Sequence, residues 1–553
     1  MIVRRLFALI LPLLFGLAAS PVEAAWTASG TFLYQDREFD ENGFTGATPN
    51  LPVRFAKVEV RYFKQSGGTT LLATGATDAA GNYSILVSDT STRDIMVRAL
   101  TASGVADLFL EVTNVVGTVS NYAVTTPTFF AHAPVNLNAG TVVALAGAGG
   151  EPFNLFDVGL NTEDYLAHLN GSRPSSTHEL IIQWENLSGV TVNSYIGNNT
   201  VRAADTSGYN DTVIQHETGH YAVFNFSATD SPFGFHRLSN CKQDLRLAFD
   251  EGFATYFGQS VRKYLNLPNP HLYVKTTGAV GPGNLDFYFN VEDEVPFTCS
   301  ESTSEVTVYA ALWDLVDGAT TPDETPGVDE GWDPLAVSDT VVWDIMRNYM
   351  PGAVNKSAED FWDGWFVLGK GLDSSFRTVF VQHGMEFIDD LAENNDTTAG
   401  ALGIAPDGVP LHATYFRPLA SGAGTTDVDY FKFFGTAGHD FRIETTALTG
   451  DANTSLVLLG PDGVTPIMSN DDRGGGEKSS LMIFNSPASA TYYVKSFHGP
   501  GLGIYGSYDV VISGAVVAGG SSPPLVTQSP KFTRRPMLNE GDSPTVSGLS
   551  SQD

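Results

Sequence analysis

The sequence predicts a multidomain protein, an α+β domain flanked by two β-sandwich domains. Three observations carry this. Short apolar runs broken by Gly and Asp turns fill residues 26–130, and again residues 403–513. Between them, apolar residues recur at helical spacing, as in 153–169, 339–350 and 358–368. The 56 glycines and a charged fraction of only 17% fit a chain rich in strands and turns.

Residues 1–24 read as a secretory signal peptide. Arg4 and Arg5 form a charged start, an apolar run follows from Leu6, and Val22-Glu23-Ala24 offers a cleavage site. The apolar run is short for a membrane span, and no later run is long enough. The mature chain is therefore expected outside the cytoplasm, secreted or periplasmic. Its formal net charge is −32, or −33 once two arginines and one glutamate leave with the signal. So acidic a chain excludes nucleic acid and anionic membranes as natural partners.

Residues 25–132 are expected to form the first sandwich. Apolar or alternating runs recur at 31–34, 56–62, 70–73, 83–87 and 95–100. Asp78 and Gly81 stand where a tight turn into a strand wants them. The pattern resembles the carboxypeptidase-regulatory-like or prealbumin-like modules of secreted proteins. A spacer, a binding module and a pro-region all fit it.

Residues 133–393 are expected to form the α+β domain. Residues 131–150 read as a linker or an entering strand, and 153–169 as a helix. Residues 178–184 read as a strand, either an ordinary core strand or one lining a cleft, and 200–204 as another. Then comes His216-Glu217-Thr218-Gly219-His220, with Asn210 or Asp211 as helix N-cap. Two histidines four residues apart project from one helix face, where both can bind a single Zn²⁺. Glu217 sits one step round the helix, placed to act on a water without being a ligand. A catalytic zinc needs a third protein ligand. Glu251 supplies one, as a carboxylate inside an apolar helical pattern with Leu247, Ala248, Phe253, Ala254 and Phe257. Its rivals are His236, in a loop-like stretch, and a bland reading of Asp250 or Glu251 as an N-cap.

The His-Glu-x-x-His motif followed by Glu251-Gly252-Phe253-Ala254 resembles the gluzincin metallopeptidases. With Thr255-Tyr256-Phe257 and an intervening cysteine, it is most similar to the fungalysin and thermolysin side of that clan. The likeness covers residues 153–385. It implies a zincin fold, Zn²⁺ on His216, His220 and Glu251, and Glu217 as general base in the hydrolysis of protein or peptide substrates. It also implies a donor for the tetrahedral oxyanion, for which Tyr309 and His383 are the candidates. The sequence departs from the pattern twice. The 30 residues between His220 and Glu251 demand an extra loop. Thr255 stands where thermolysin-like enzymes carry an aspartate that orients a zinc-binding histidine, so another group is expected in that role. Metzincins are excluded, because Val223 and Phe226 occupy positions where they need Gly and His. No Gly-x-Met-Glu-Asn segment is present to anchor a free amine, which favours endopeptidase over aminopeptidase.

Cys241 and Cys299 are the whole thiol inventory. Outside the cytoplasm they are expected to form a disulfide, tying the extra loop to the segment before Ser304. The chain-entropy model gives about 4 kcal/mol for a loop of that size. Residues 394–402 read as a polar linker and 403–514 as the second sandwich. Its order, from Asp427-Val428-Asp429-Tyr430 through Asn470-Asp471-Asp472 to Tyr505, resembles the bacterial pre-peptidase C-terminal domain. Asp427, Asp429, Asp471 and Asp472 are candidate Ca²⁺ ligands, or plain turn residues. Residues 515–553, rich in Pro and Ser, are expected to be a disordered tail. The resulting expectation is a monomeric, secreted zinc endopeptidase. The alternative is a non-catalytic adhesion or binding protein with a structural zinc site.

Overall fold

The computed structural model describes residues 25–114, 120–184, 189–279, 281–291, 299, 301–317 and 334–514. The expected signal peptide and the expected tail lie outside the described residues.

The first strand, Trp26–Gln35, alternates in burial and turns Trp26, Ala28, Phe32 and Tyr34 inward. It pairs antiparallel with Asn50–Pro52 and Asn82–Val87, and parallel with Leu137–Ala144. The turn before Asn82 is the one the sequence shows. Asp78 Oδ1 accepts the backbone N–H groups of Ala80 and Asn82 at 2.8 and 2.9 Å. Gly81 takes φ +78°, with the Phe32 carbonyl 2.4 Å from where a Cβ would stand.

The inward side chains of this sheet share one core with those of a larger sheet. Its strand order is Ser194–Tyr195, Thr200–Ala203, Leu180–Trp184, Leu110–Asn114, Arg93–Ser103, Ala56–Phe63, Thr69–Ala76. The sheet runs straight through the boundary expected at 132/133. Leu180–Trp184 pairs in parallel with Leu110–Asn114, setting Leu180 opposite Leu110 and Ile182 opposite Val112. All four side chains are buried. The N-terminal region is thus not a separate sandwich. The physical reason is backbone pairing: buried Leu110–Asn114 needs partners on both edges, and Leu180–Trp184 supplies the second. Polar ties reinforce the union. Arg54 donates to Asp157 at 2.8 Å and to Asn161 at 2.7 Å, and the Tyr209 hydroxyl donates to the Gln35 carbonyl at 2.9 Å.

The described residues hold seven α-helices: α1 Glu151–Asn170, α2 Asp211–Phe226, α3 Leu245–Tyr264, α4 Glu305–Trp313, α5 Asp339–Asn348, α6 Ala358–Val367 and α7 Asp373–Gln382. Helix α1 lies on the shared sheet, where a Cβ on Gly159 would meet Leu110 at 2.6 Å. Helices α2 and α3 touch backbone to backbone. A Cβ on Gly219 would sit 2.7 Å from Ala254 Cα, so only glycine permits this approach.

The C-terminal sandwich has its own core, including Phe431, Phe433, Ile443, Leu456, Tyr492 and Val510. It docks on α6 through an aromatic cluster, with Trp362 and Phe416 centroids 5.9 Å apart and Phe387 and Tyr505 5.7 Å apart. The expected linker at 394–402 is packed rather than free. Asn395 is fully buried, its amide donates to Asp429 at 3.0 Å, and its carbonyl accepts Tyr430 N–H at 2.9 Å. Leu402–Gly403 pairs as a strand with Val428–Gly435.

Candidate metal centre

Helix α2 is fixed by tertiary contacts at its start, not by a side-chain cap from Asn210 or Asp211. The Asn210 side chain accepts from Thr276 N–H at 2.9 Å and from its hydroxyl at 2.8 Å, while Asp211 accepts from Asn154 at 2.7 Å. Helix α3 begins at Leu245, capped by Asp244, whose side chain accepts Arg246 N–H at 3.0 Å. Asp250 and Glu251 therefore lie inside the helix and cap nothing.

Those two helices bring His216, His220 and Glu251 together. His216 Nε2 is 3.2 Å from Glu251 Oε2, and His220 Nε2 is 3.1 Å from the same oxygen. One ligand atom from each lies within 4.8 Å of the other two. The opposite ring nitrogens are held from behind. His216 Nδ1 is 2.9 Å from Thr255 Oγ1, and His220 Nδ1 is 3.3 Å from Asp250 Oδ2. Both rings thus turn Nε2 toward the shared point. The expectation that some other group must replace Thr255 is corrected: the threonine itself reaches the histidine, because its hydroxyl accepts what a carboxylate would. Two imidazoles and one carboxylate converging on a buried point offer donors of the kind zinc takes, and the residues fit that ion.

Glu217 is not one of the converging atoms. It lines the same cleft, a cavity of about 330 Å³ shared with His216, His220, Glu251, Tyr195 and His236. Burial pushes its carboxyl up from the ordinary value, and the two histidines pull the other way. One wall of the cleft is Asn193-Ser194-Tyr195. Ser194–Tyr195 is the end strand of the shared sheet, whereas Leu180–Trp184 is paired on both sides. The cleft-lining role open to residues 178–184 falls instead to Ser194–Tyr195, because only an end strand has free edge groups.

The oxyanion candidates are elsewhere. Tyr309 is buried and stacked on Phe289 at 5.1 Å, and His383 Nε2 meets Asp314 at 2.8 Å in the core. Neither lines the cleft. His236 does, with Nδ1 2.8 Å from Glu305 Oε2 and Nε2 3.5 Å from Glu251 Oε2. The disulfide between Cys241 and Cys299 is present, and the Thr303 hydroxyl donates to the Cys241 carbonyl at 2.9 Å.

A second cluster lies at the entry to the C-terminal sandwich. Asp389, Glu393 and Asp427 form one group of close carboxylates, and Asp390, Glu393 and Asp429 another. Asn395 Oδ1 is buried there without a hydrogen-bond partner among the described residues. Burial raises Glu393 to about 8 and Asp390 to about 6. Of the four aspartates in the sequence expectation, Asp427 and Asp429 are in these groups. Asp471 instead accepts from Ser455, and Asp472 stands exposed.

Residues 427–495 match the bacterial pre-peptidase C-terminal domain. Two solved structures show limited likeness. The pre-peptidase C-terminal domain of a Bacillus anthracis collagenase covers 20% of this chain and 94% of its own, at 13% identity and TM-score 0.16. PliG of Aeromonas hydrophila, a periplasmic inhibitor of g-type lysozyme, covers 21% and 97%, at 12% identity and TM-score 0.16. An uncharacterized protein of Archaeoglobus fulgidus is 29% identical over 138 residues, which is 25% of this chain and 35% of that protein. The chain thus spans about a third of the length of the curated relative it matches.

Sequence reasoning missed Asp250, Thr255, Glu305 and the edge strand at the cleft, and in the pre-peptidase C-terminal domain's entry segment it missed Asp389, Asp390 and Glu393. Asp250 carried a signal, since it is a second acid beside Glu251. Glu305 carried none, because 69 positions separate it from His236.

Proposed function

We propose that the protein is a secreted zinc-dependent endopeptidase. The observation that carries this reading is the convergence of His216, His220 and Glu251 beside a buried Glu217 that stays out of the ligand set. His216, His220 and Glu251 would hold the ion. Zinc, when bound in such a set, polarises a carbonyl and makes water a nucleophile near neutral pH.

The chain's own groups do the rest. Glu217 takes a proton from the attacking water and delivers it to the leaving amine nitrogen, and its burial favours holding that proton between the two steps. The edge of Ser194–Tyr195 pairs with an extended peptide and lays the scissile bond across the cleft. A structural metal site has no need of a base at position 217. The pre-peptidase C-terminal domain supports the reading as well, being by description a companion of peptidases. No helix among the described residues is long and apolar enough to cross a membrane. The same reading gives the entry cluster a calcium ion, whose preference for carboxylate and amide oxygens matches Asp390, Glu393, Asn395, Asp427 and Asp429.

The test is casein digestion by the mature protein, with Glu217→Gln in parallel and zinc measured on both. Expected is digestion by the wild type, lost by at least a hundredfold in Glu217→Gln while zinc stays near one per chain. Zinc-loaded wild type that cuts no protein or peptide substrate would leave a binding protein as the better reading.

A further inference from the structure

The carboxylates at residues 389–429 belong to the reading given above. The small cavity near Asp36, Asp157 and Asp211 already holds Arg262, which satisfies the charge a cation would bring. A larger cleft, of about 670 Å³, shares no residue with the metal centre. It opens on the seam where the loop between α2 and α3 meets the C-terminal sandwich. Lys242, Gln243 and Thr303 line it from one side, and residues from 445–452 and 473–479 line it from the other.

The loop side of the cleft is fixed. The Cys241–Cys299 bond, the Thr303-to-Cys241 contact at 2.9 Å and the Gln243-to-Thr303 backbone bond at 2.9 Å join residues 241–243 to the segment before α4. Asp244 then caps α3. Between these anchors the Gln243 side chain is only 8% exposed, and neither its amide nitrogen nor its amide oxygen has a hydrogen-bond partner among the described residues. A buried amide is costly unless both needs are met. It offers a donor and an acceptor side by side, the complement of a peptide group. Arg473 adds a further donor. Its Nη2 is spent on Glu444 at 2.8 Å and on the Thr445 carbonyl at 3.0 Å, while its Nε is buried without a partner among the described residues. The rim is cationic for so acidic a chain. Lys242, Arg473 and Lys478 stand there against Asp451 and Glu477, whereas the whole chain has 30 Lys and Arg to 62 Asp and Glu. Lys242 pairs with Glu301 and Lys478 with Asp451, but the two lysine side chains are 58% and 44% exposed. Ion pairs so exposed contribute little and exchange readily. Burial, then the neighbouring Lys242 ammonium, lower the Lys478 ammonium from its ordinary pKa, with Asp244 and Glu359 opposing. Two ammonium groups from opposite sides of the seam thus repel each other, and a carboxylate arriving between them relieves the repulsion.

We propose that this cleft binds an extended, acidic peptide segment. A peptide group of the segment pairs with the Gln243 amide, and its carboxylate side chains are held by Lys242 and Lys478. No covalent bond forms or breaks there. The loop that supplies Lys242 and Gln243 also lines the metal cleft, through Phe233, Gly234, Phe235 and His236. One polypeptide can therefore lie in both clefts, its acidic part on the seam. That the bound segment belongs to a substrate is the one part that rests on the endopeptidase reading.

The experiment is fluorescence anisotropy on the full mature protein carrying Glu217→Gln, so that no probe is cut. The probe is a fluorescein-labelled peptide of alternating Ala and Glu with an amidated C-terminus. Control peptides carry Gln or Lys in place of Glu. Expected is binding of the Glu peptide about tenfold tighter than of the Gln peptide, weakening as salt is added. Gln243→Leu keeps the volume, removes the amide and weakens the Glu peptide about tenfold. Lys242→Gln with Lys478→Gln weakens it about as much and flattens the salt dependence. Those two lysines are exposed, so the pair of changes tests the cleft even where Gln243→Leu disturbs the loop. Equal binding of the Glu and Gln peptides overturns the proposal. So does a double lysine variant within about threefold of its parent, or no binding at all. Hydrolysis does not enter this measurement: a wild type that cuts nothing overturns the endopeptidase reading and leaves the binding result standing. In an active wild type, the two lysine changes are expected to raise KM several-fold, with kcat unchanged, for a quenched peptide extended by the same Ala–Glu segment. An unchanged KM overturns the substrate part alone.

Discussion

Leu180–Trp184, a strand upstream of α2, takes the backbone pairing of one edge from Leu110–Asn114 of the N-terminal region. The C-terminal sandwich pairs no strand with the helical middle among the described residues. It meets that middle through Trp362 on Phe416, Tyr505 on Asp363 at 3.2 Å, and loop amides such as Ile504 N–H on Glu359 at 3.1 Å. The two flanking regions looked alike in sequence, and the difference lies in what a cut would expose. Removing the N-terminal strands would strip a buried sheet of one edge's hydrogen bonds and 17 of the 73 described core residues. Removing the C-terminal sandwich would take only Phe416, Ala423 and Tyr505 from the main core, and the sandwich's own core would stay whole.

The largest expected effect tests that contrast directly. A chain lacking residues 26–130 is expected to lose cooperative folding altogether, because Leu180–Trp184 then ends the sheet with a bare edge. Residues 394–514 alone are expected to melt cooperatively, since their core is their own. Circular dichroism melts of the two fragments decide it. A shortened chain that still melts sharply would restore the idea of a detachable pro-region. It would also mean that the parallel pairing at Leu110 is dispensable.

Calcium sharpens the comparison on the C-terminal side. Its five proposed ligands span the entry segment and the sandwich, so binding should stabilise that module and leave the N-terminal core untouched. At a hundredfold excess over its Kd, a ligand that binds only the folded state adds about 2.7 kcal/mol. The expected record is a C-terminal melting transition that rises with calcium and falls with EGTA, beside an N-terminal transition that stays put. Asp427→Asn should abolish the rise. Equal shifts in both transitions would mean that the ion acts elsewhere.

What could be read from the sequence follows from distance along the chain. The His216–His220 spacing and the capping of α4 and α6 by Ser304 and Ser357 are local, and the helices stand where their periodicity puts them. Parallel pairing between Leu110 and Leu180 is set by a meeting across 70 positions, and either strand alone reads equally well as an edge or a centre. The same holds inside the cleft. Glu251 could be inferred because charge in an apolar helix needs a partner. Glu305 could not, because it reads as an ordinary first-turn acid until His236 arrives from a loop. Polar residues at 394–402 read as a linker for the same reason. Only the folded chain shows Asn395 buried against Asp429.

The smallest expected effect sits in the docked surface itself. Glu359 is buried on α6, where burial raises its carboxyl to about 7 from 4.5, opposed by the N–H groups of Ile504 and Tyr505. Asp360 and Asp363 on the same helix add to the rise. The folded value lies above the unfolded one, so the docked chain holds this proton longer than the unfolded chain does. Stability from the group is complete below pH 4.5 and declines as pH climbs toward 7. Glu359→Gln removes the titration and keeps an oxygen for Ile504 N–H. Its melting temperature should match wild type at pH 5 and exceed it by a few degrees at pH 8, with zinc content unchanged at both. A difference that stays constant across pH would show that Glu359 acts by packing alone. The docking contact would then be as indifferent to protons as the paired strands on the other side of the molecule.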